Sequence, residues 1–197
     1  MKILSTLLLL SLTWGVSAPA EWTLAKEKSG VKVYTRIKEG QKLKELKAVA
    51  TYNCTKDNLY KTFIDIQNMY QWYDMVEKVE LLKQISPTEG VYKIFFDFPS
   101  LAGDRYSTIK ASIKKEANGD LKVETRFYPI EHKPEADYVY VKNIESAWRI
   151  SGKDGQLAVE HTAFMDPSGS IPNWIINATL TDGPIKTLTN LRKRACP

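Results

Sequence analysis

For about ninety residues, from Val79 to Met165, apolar and polar side chains alternate with a period of two, and no other stretch restricts the fold as much. Segments 79–85, 91–98, 106–115, 121–127, 139–150 and 156–165 each carry the alternation of a half-buried β-strand. Their separators include Pro87-Thr88-Glu89-Gly90, Ala117-Asn118-Gly119-Asp120 and Gly152-Lys153-Asp154-Gly155, short turn-forming runs that suit hairpins. A meandering antiparallel sheet follows, with one apolar face that must be covered.

The flanking segments supply the cover. Segment 31–36 alternates Val31 and Val33 with Lys32 and Tyr34 and predicts a strand, as does 43–52, whereas 21–28 reads as a short helical turn. Thr55 is placed to cap a helix in which Leu59, Phe63, Ile64 and Ile66 recur at helical spacing to about Tyr70. Pro172 stands where a second, long helix begins. Trp174, Ile175, Ala178, Ile185, Leu188 and Leu191 form its apolar stripe, and Arg192, Lys193 and Arg194 occupy its last turn, where cations suit the helix dipole. Gly183-Pro184 predicts a kink or short break within it. The order of elements is α+β, in a single domain with no internal repeat: a curved antiparallel sheet wrapped around a long C-terminal helix.

Residues 1–20, MKILSTLLLLSLTWGVSAPA, have a positive start at Lys2, an apolar run from Ile3 and small residues at Ala18 and Ala20. This is the pattern of a signal peptide, cleaved after Ala20 to leave a domain over 21–197. A membrane anchor is the competing reading, but the apolar run is about ten residues where a spanning helix needs roughly twenty. Export to a periplasm or to the outside is therefore expected. Loss of Lys2 takes the net charge from +5 to +4, and the remaining cations are scattered, so nucleic-acid binding is not indicated; a transient attraction to an anionic membrane surface is the most this charge supports. Cys54 and Cys196, the two cysteines, permit one disulfide in an oxidising compartment, with two free thiols as the alternative.

Three stretches, taken together, carry a family resemblance. WTLAKEKSGVKVYTR (22–36) resembles the opening of START (StAR-related lipid-transfer) domains, FFDFPSLAGDRYSTIKAS (95–112) their central strand-launching turn, and DPSGSIPNWIINATL (166–180) the entry to their closing helix. The resemblance covers essentially the whole mature chain, in family order. It departs at Asp104-Arg105, which reverses the usual order, at Ser170 and Ile171, which replace an aromatic, and at Lys110, where an arginine often lies in the cavity wall.

The resemblance implies a helix-grip fold holding a lipid (phospholipid, sterol or fatty acid) in a tunnel. The terminal helix and a loop at 129–137 would form its lid, with no cofactor, no metal and a monomeric protein. The ligand-binding candidates are Phe96, Asp97, Phe98, Ile109, Lys110, Ala111, Arg126, Phe127, Trp148 and Ile150 on strands, and Trp174, Ile175, Ala178 and Leu188 on the helix. Burial of apolar ligand surface against such walls gains about 25 cal/mol per Å². The same alternation also describes a solid core, and the sequence leaves that choice open. Asp97 could pair with Lys110 or Arg126 inside the cavity, or all three could lie on a solvated outer face. His132 and His161, the two histidines, have no nucleophile motif beside them and no metal-ligand spacing, so no catalytic residue is assigned. The rival reading is a cyclase- or aromatase-like enzyme on the same fold, drawing acid and base groups from Asp97, Tyr92 or His161.

Overall fold

The computed structural model describes residues 20–98, 103–169 and 171–196, without the side chains of 173, 174, 177 and 178. The leader expected over 1–20 lies, but for Ala20, outside them. Strands β1 (Thr23–Lys28), β2 (Val31–Ile37) and β3 (Lys44–Tyr52) are followed by helix α1 (Lys56–Ile64) and a 3₁₀ turn (Ile66–Gln71). Then come β4 (Val76–Ser86), β5 (Glu89–Phe96), β6 (Asp104–Lys115), β7 (Leu121–Phe127), β8 (Tyr138–Tyr140), β9 (Ile144–Lys153) and β10 (Gln156–Met165), and α2 (Asn173–Ala195) closes the chain. The strands form one unclosed sheet ordered β1-β2-β3-β10-β9-β7-β6-β5-β4, antiparallel except where β8 pairs in parallel with the start of β6. The architecture is the helix-grip arrangement.

Several local expectations are corrected. Segment 21–28 is not helical: β1 pairs with β2, and Trp22 lies beneath the Arg36 guanidinium, 4.3 Å from its ring centre. Almost every residue of β1 is exposed, so no alternation marked it; edge pairing, not burial, makes it a strand. The helix after Thr55, whose side chain accepts from the Asn58 amide at 3.2 Å, stops at Ile64. Asp65 leaves helical geometry and accepts from the Asn68 side chain at 2.8 Å, so the chain tightens into the 3₁₀ turn. The strand expected over 139–150 divides into β8 and β9. Pro184 does not break α2, although it offers no amide to the Leu180 carbonyl.

The apolar interior falls into two clusters. The larger packs Val31, Val33, Ala48 and Tyr52 against Ile185, Leu188 and Leu191 of α2, with Tyr52 Oη donating to the Leu188 carbonyl at 2.5 Å. Cys54 and Cys196 are bonded there, tying the end of β3 to the end of α2. The smaller gathers Tyr92, Ile94 and Phe96 of β5 and Ile109 and Ala111 of β6 under Val76 and Val79.

The opposite face of β5 and β6 carries Lys93, Phe95, Tyr106 and Thr108. The segment 129–137 packs on that face. Buried Lys93 donates to Glu135 at 2.5 Å and to the Lys133 carbonyl at 3.1 Å, and His132 Nε2 lies 3.3 Å from Tyr106 Oη. It therefore does not border the interior cavity, and the expectation that it forms a lid there is corrected. Among the described residues, no helix is long and apolar enough to cross a membrane.

Candidate functional site: an apolar cavity between two core clusters

Between the two clusters the interior is hollow. The cavity measures about 200 Å³ to the centre of a water-sized sphere, and both clusters contribute to its wall. Strand register explains the gap. On the inner face Ala111 pairs with Thr125, Thr125 with Ser146, and Ser146 with Ala163, a row of small side chains crossing β6, β7, β9 and β10. The next row is large: Ile113, Val123, Trp148 and His161 stand side by side. Small residues in one row leave space that the bulky row beside it does not fill.

The segment 66–75 and α2 complete the enclosure, through Ile66, Met69, Trp72, Tyr73 and Asp74 on one side and Ile176, Leu180, Pro184 and Thr187 on the other. The two approach closely at Gly183, where an added Cβ would lie 3.3 Å from Asp74 Oδ2. The Asp74 amide donates to Thr187 Oγ1 at 3.0 Å, and its carboxylate faces Lys186 at 3.6 Å. Burial nevertheless raises the Asp74 pKa.

One wall is aromatic and carries buried polar atoms. Trp72, Tyr73 and His161 surround Trp148 with ring centres 5.9, 6.2 and 3.9 Å from it, the imidazole stacked on the indole. His161 Nε2 lies 3.2 Å from Tyr73 Oη, while His161 Nδ1 and Trp72 Nε1 have no hydrogen-bond partner among the described residues. Burial holds the His161 pKa down to about 3, so the ring is neutral at physiological pH. Burial, with a smaller contribution from Asp74, holds the Tyr73 hydroxyl above its ordinary pKa and keeps it protonated. A buried polar atom without a partner costs about 1–3 kcal/mol, which makes this wall an unusual place to find two.

A model of the START domain matches residues 11–195. The chain belongs to the START-domain family. It is 27% identical over 197 residues to an uncharacterized protein of Pseudomonas aeruginosa, covering 98% of this chain and 97% of that one. It superposes with a TM-score of 0.79 on the STAR-related lipid transfer protein from Xanthomonas axonopodis, at 27% identity over 89% of this chain and 99% of that chain. Human StAR-related lipid transfer protein 5 shares the fold at 15% identity, with a TM-score of 0.78 over 88% of this chain and 86% of that chain.

Of the START residues singled out from the sequence, Phe96, Phe98, Ile109, Ala111 and Trp148 line the cavity. Ile150, Ile175 and Leu188 do not; each is fully buried, Ile150 and Leu188 in the larger cluster. Phe127 places its ring 6.0 Å from that of Tyr140, away from the cavity. The side chains of Trp174 and Ala178 lie outside the described residues, as does Ser170.

Of the two placements left open for Asp97, Lys110 and Arg126, the one inside the cavity does not hold. Asp97 is exposed, Arg126 is exposed on the outer face, and Lys110, between the inward Ile109 and Ala111, turns outward to pair with Glu89. The buried cation of β6 is Arg105. Its guanidinium stands 4.9 Å from the Phe98 ring centre and donates to the Pro167 carbonyl at 3.2 Å, fastening β6 to the turn before α2.

Trp72, Tyr73 and Asp74 had no place among the candidates because they sit in the irregular segment after α1, where no periodicity assigns a face. His161 and Tyr92 were considered only as acid and base groups. Their inward phase was legible, since His161 shares the phase of Val159 and Tyr92 that of Ile94 and Phe96.

Proposed function

We propose that this START-domain protein is a non-catalytic carrier that holds one apolar ligand, a lipid, in the cavity and passes it between membranes after export from the cytoplasm. The observation that carries the reading is the row Ala111, Thr125, Ser146 and Ala163, which opens an apolar-walled space between two well-packed clusters. Similarity to a STAR-related lipid transfer protein supports it. At about 200 Å³ the space is below the ~300–1,000 Å³ of typical ligand pockets, so a single-chain or compact amphiphile suits it before any opening, and a two-chain phospholipid requires α2 or its neighbours to move.

The tyrosines and the histidine of the cavity do not favour acid–base catalysis. Tyr73, Tyr92 and His161 are all held by burial in their uncharged forms, so none is poised to exchange a proton near neutral pH.

The test is native purification of the exported protein, lipid extraction and mass spectrometry, alongside titration of lipids against the fluorescence of Trp72 and Trp148 in the wall. A co-purifying lipid, or saturable uptake with a mature chain beginning at Glu21, is the expected result. An empty protein that takes up no phospholipid, sterol or fatty acid would sink the reading.

A further inference from the structure

Strand β4 is an edge of the sheet and carries more exposed apolar surface than an edge needs. Leu81, Leu82 and Ile85 are 40%, 36% and 44% exposed, and Pro87 in the turn to β5 is exposed as well. Pro87 and the exposed Ile64, which ends α1, both line the cavity, so the cavity comes to the surface where this edge ends.

An apolar edge ordinarily invites another strand, but here the ladder is interrupted. The register with β5 shifts between Val76 and Lys78, between Leu81 and Lys83, and between Gln84 and Ser86. The residues left over in the last two shifts are Leu82 and Ile85. The bulges therefore spoil the edge for pairing with a second copy and leave two apolar side chains exposed on it.

The charges beside the edge select the partner. Asp57, Glu80 and Glu89 are each held by a lysine, namely Lys61, Lys78 and Lys110. Lys83, Lys114 and Lys115 make no ion pair among the described residues, and Glu116 is the unpaired carboxylate that follows them. The Ile113 amide donates to the Thr88 carbonyl at 2.9 Å, which sets Lys114 and Lys115 next to the hairpin, and the Lys115 ammonium stands 4.3 Å from the Tyr60 ring centre on α1. Apolar side chains interspersed with free cations match the boundary of an anionic bilayer.

We propose that the β4 edge and its hairpin to β5 dock on an anionic membrane, Leu82 and Ile85 entering the boundary and Lys83, Lys114 and Lys115 meeting lipid phosphates. Docking there sets the opening beside Ile64 and Pro87 against the bilayer. Use of that opening rests on the carrier reading; the membrane contact itself does not.

The test is flotation of the exported protein with vesicles of phosphatidylcholine, alone or equimolar with phosphatidylglycerol, beside lipid uptake from vesicles and from an ethanol dispersion. The variants are Leu82→Ser with Ile85→Ser, and Lys83→Gln with Lys114→Gln. Leu24→Ser with Lys28→Gln on β1, at the other edge, is the matched control, and circular dichroism checks folding. Binding is expected on the mixed vesicles and to weaken as salt is raised. A lysine at an anionic surface is worth about fivefold, so the lysine pair should lose at least about tenfold and the control little. The serine pair should lose vesicle binding and slow uptake from vesicles while leaving uptake from ethanol unchanged, since neither residue lines the cavity.

No binding to mixed vesicles by a wild type that takes up dispersed lipid overturns the proposal and leaves the carrier reading standing. A control that loses as much as the lysine pair overturns it as mere net charge. A wild-type dimer that the serine pair turns into a monomer overturns it by giving the surface to a second copy. Vesicle binding without any lipid uptake upholds the docking surface and sinks the carrier reading, together with the use of the opening.

Discussion

Acidification from pH 7 to pH 5 should destabilise this protein through one buried ring. His161 is 2% exposed, stacked on Trp148 and neutral, with a native pKa of about 3 imposed by burial. In the unfolded chain its pKa returns to about 6.5. Between these values the unfolded state binds a proton that the native state refuses, so stability from this residue is complete above pH 6.5 and falls as the pH drops toward 3. Linkage between pH 7 and pH 5 gives a loss of about 2 kcal/mol, a large share of the ~5–15 kcal/mol that holds a domain together. The assay is urea unfolding at both pH values for the wild type and His161→Phe. Carboxylates held low by lysines, such as Asp182 beside Lys26, titrate in both proteins and cancel in the difference. An equal drop in the two proteins would refute the reasoning, because it would show His161 to be accessible to protons in the native state.

Removing the bond between Cys54 and Cys196, by Cys54→Ser or by reduction, should lower stability by up to about 5 kcal/mol on the chain-entropy relation for a sequence separation of 142, read as a shift in the denaturation midpoint. Ala163→Leu should fill the small row, adding the ~0.5–2 kcal/mol of stability usual for cavity filling, read as a higher melting temperature, while abolishing lipid uptake; a stable variant that still binds would place the ligand elsewhere. Glu135→Gln should release segment 129–137 from Lys93 and speed its proteolysis, leaving lipid uptake unchanged because the segment packs on the opposite face of the sheet.

The sheet and the closing helix were legible because alternation over β2, β7 and β10 is enforced by burial on one face, and burial is what period two reports. The site was legible only in part, because a cavity belongs to rows across strands while periodicity runs along them. Ala111, Thr125, Ser146 and Ala163 are unremarkable in their own strands, and only register sets them side by side. Ile150 illustrates the converse. It has the phase and chemistry of a wall residue, but it stands opposite Leu121 and Val159, one row beyond Trp148, where the packing is solid. Lys110 was misplaced by analogy against its own phase, since a residue between two inward side chains points outward. Segment 129–137 was expected to be a lid from the resemblance alone; what anchors it, Lys93, is a charge on a buried strand that composition places outside.

Hollowness and stability are reconciled by separating them in space. A cavity forfeits packing, so the chain concentrates its constraints in the solid cluster: the disulfide, the bond from Tyr52 to the Leu188 carbonyl, and Leu188 and Leu191 at zero exposure all fix the C-terminal half of α2. The stretch of α2 from Ile176 to Thr187 borders the hollow, and within it the missing amide of Pro184 weakens the helical ladder. A helix held hard at one end and loosely over a cavity at the other can yield to a ligand without unfolding the domain, because opening there leaves the larger cluster intact. The proline that sequence alone marked as a break lies instead within an unbroken helix, in the stretch that forms cavity wall.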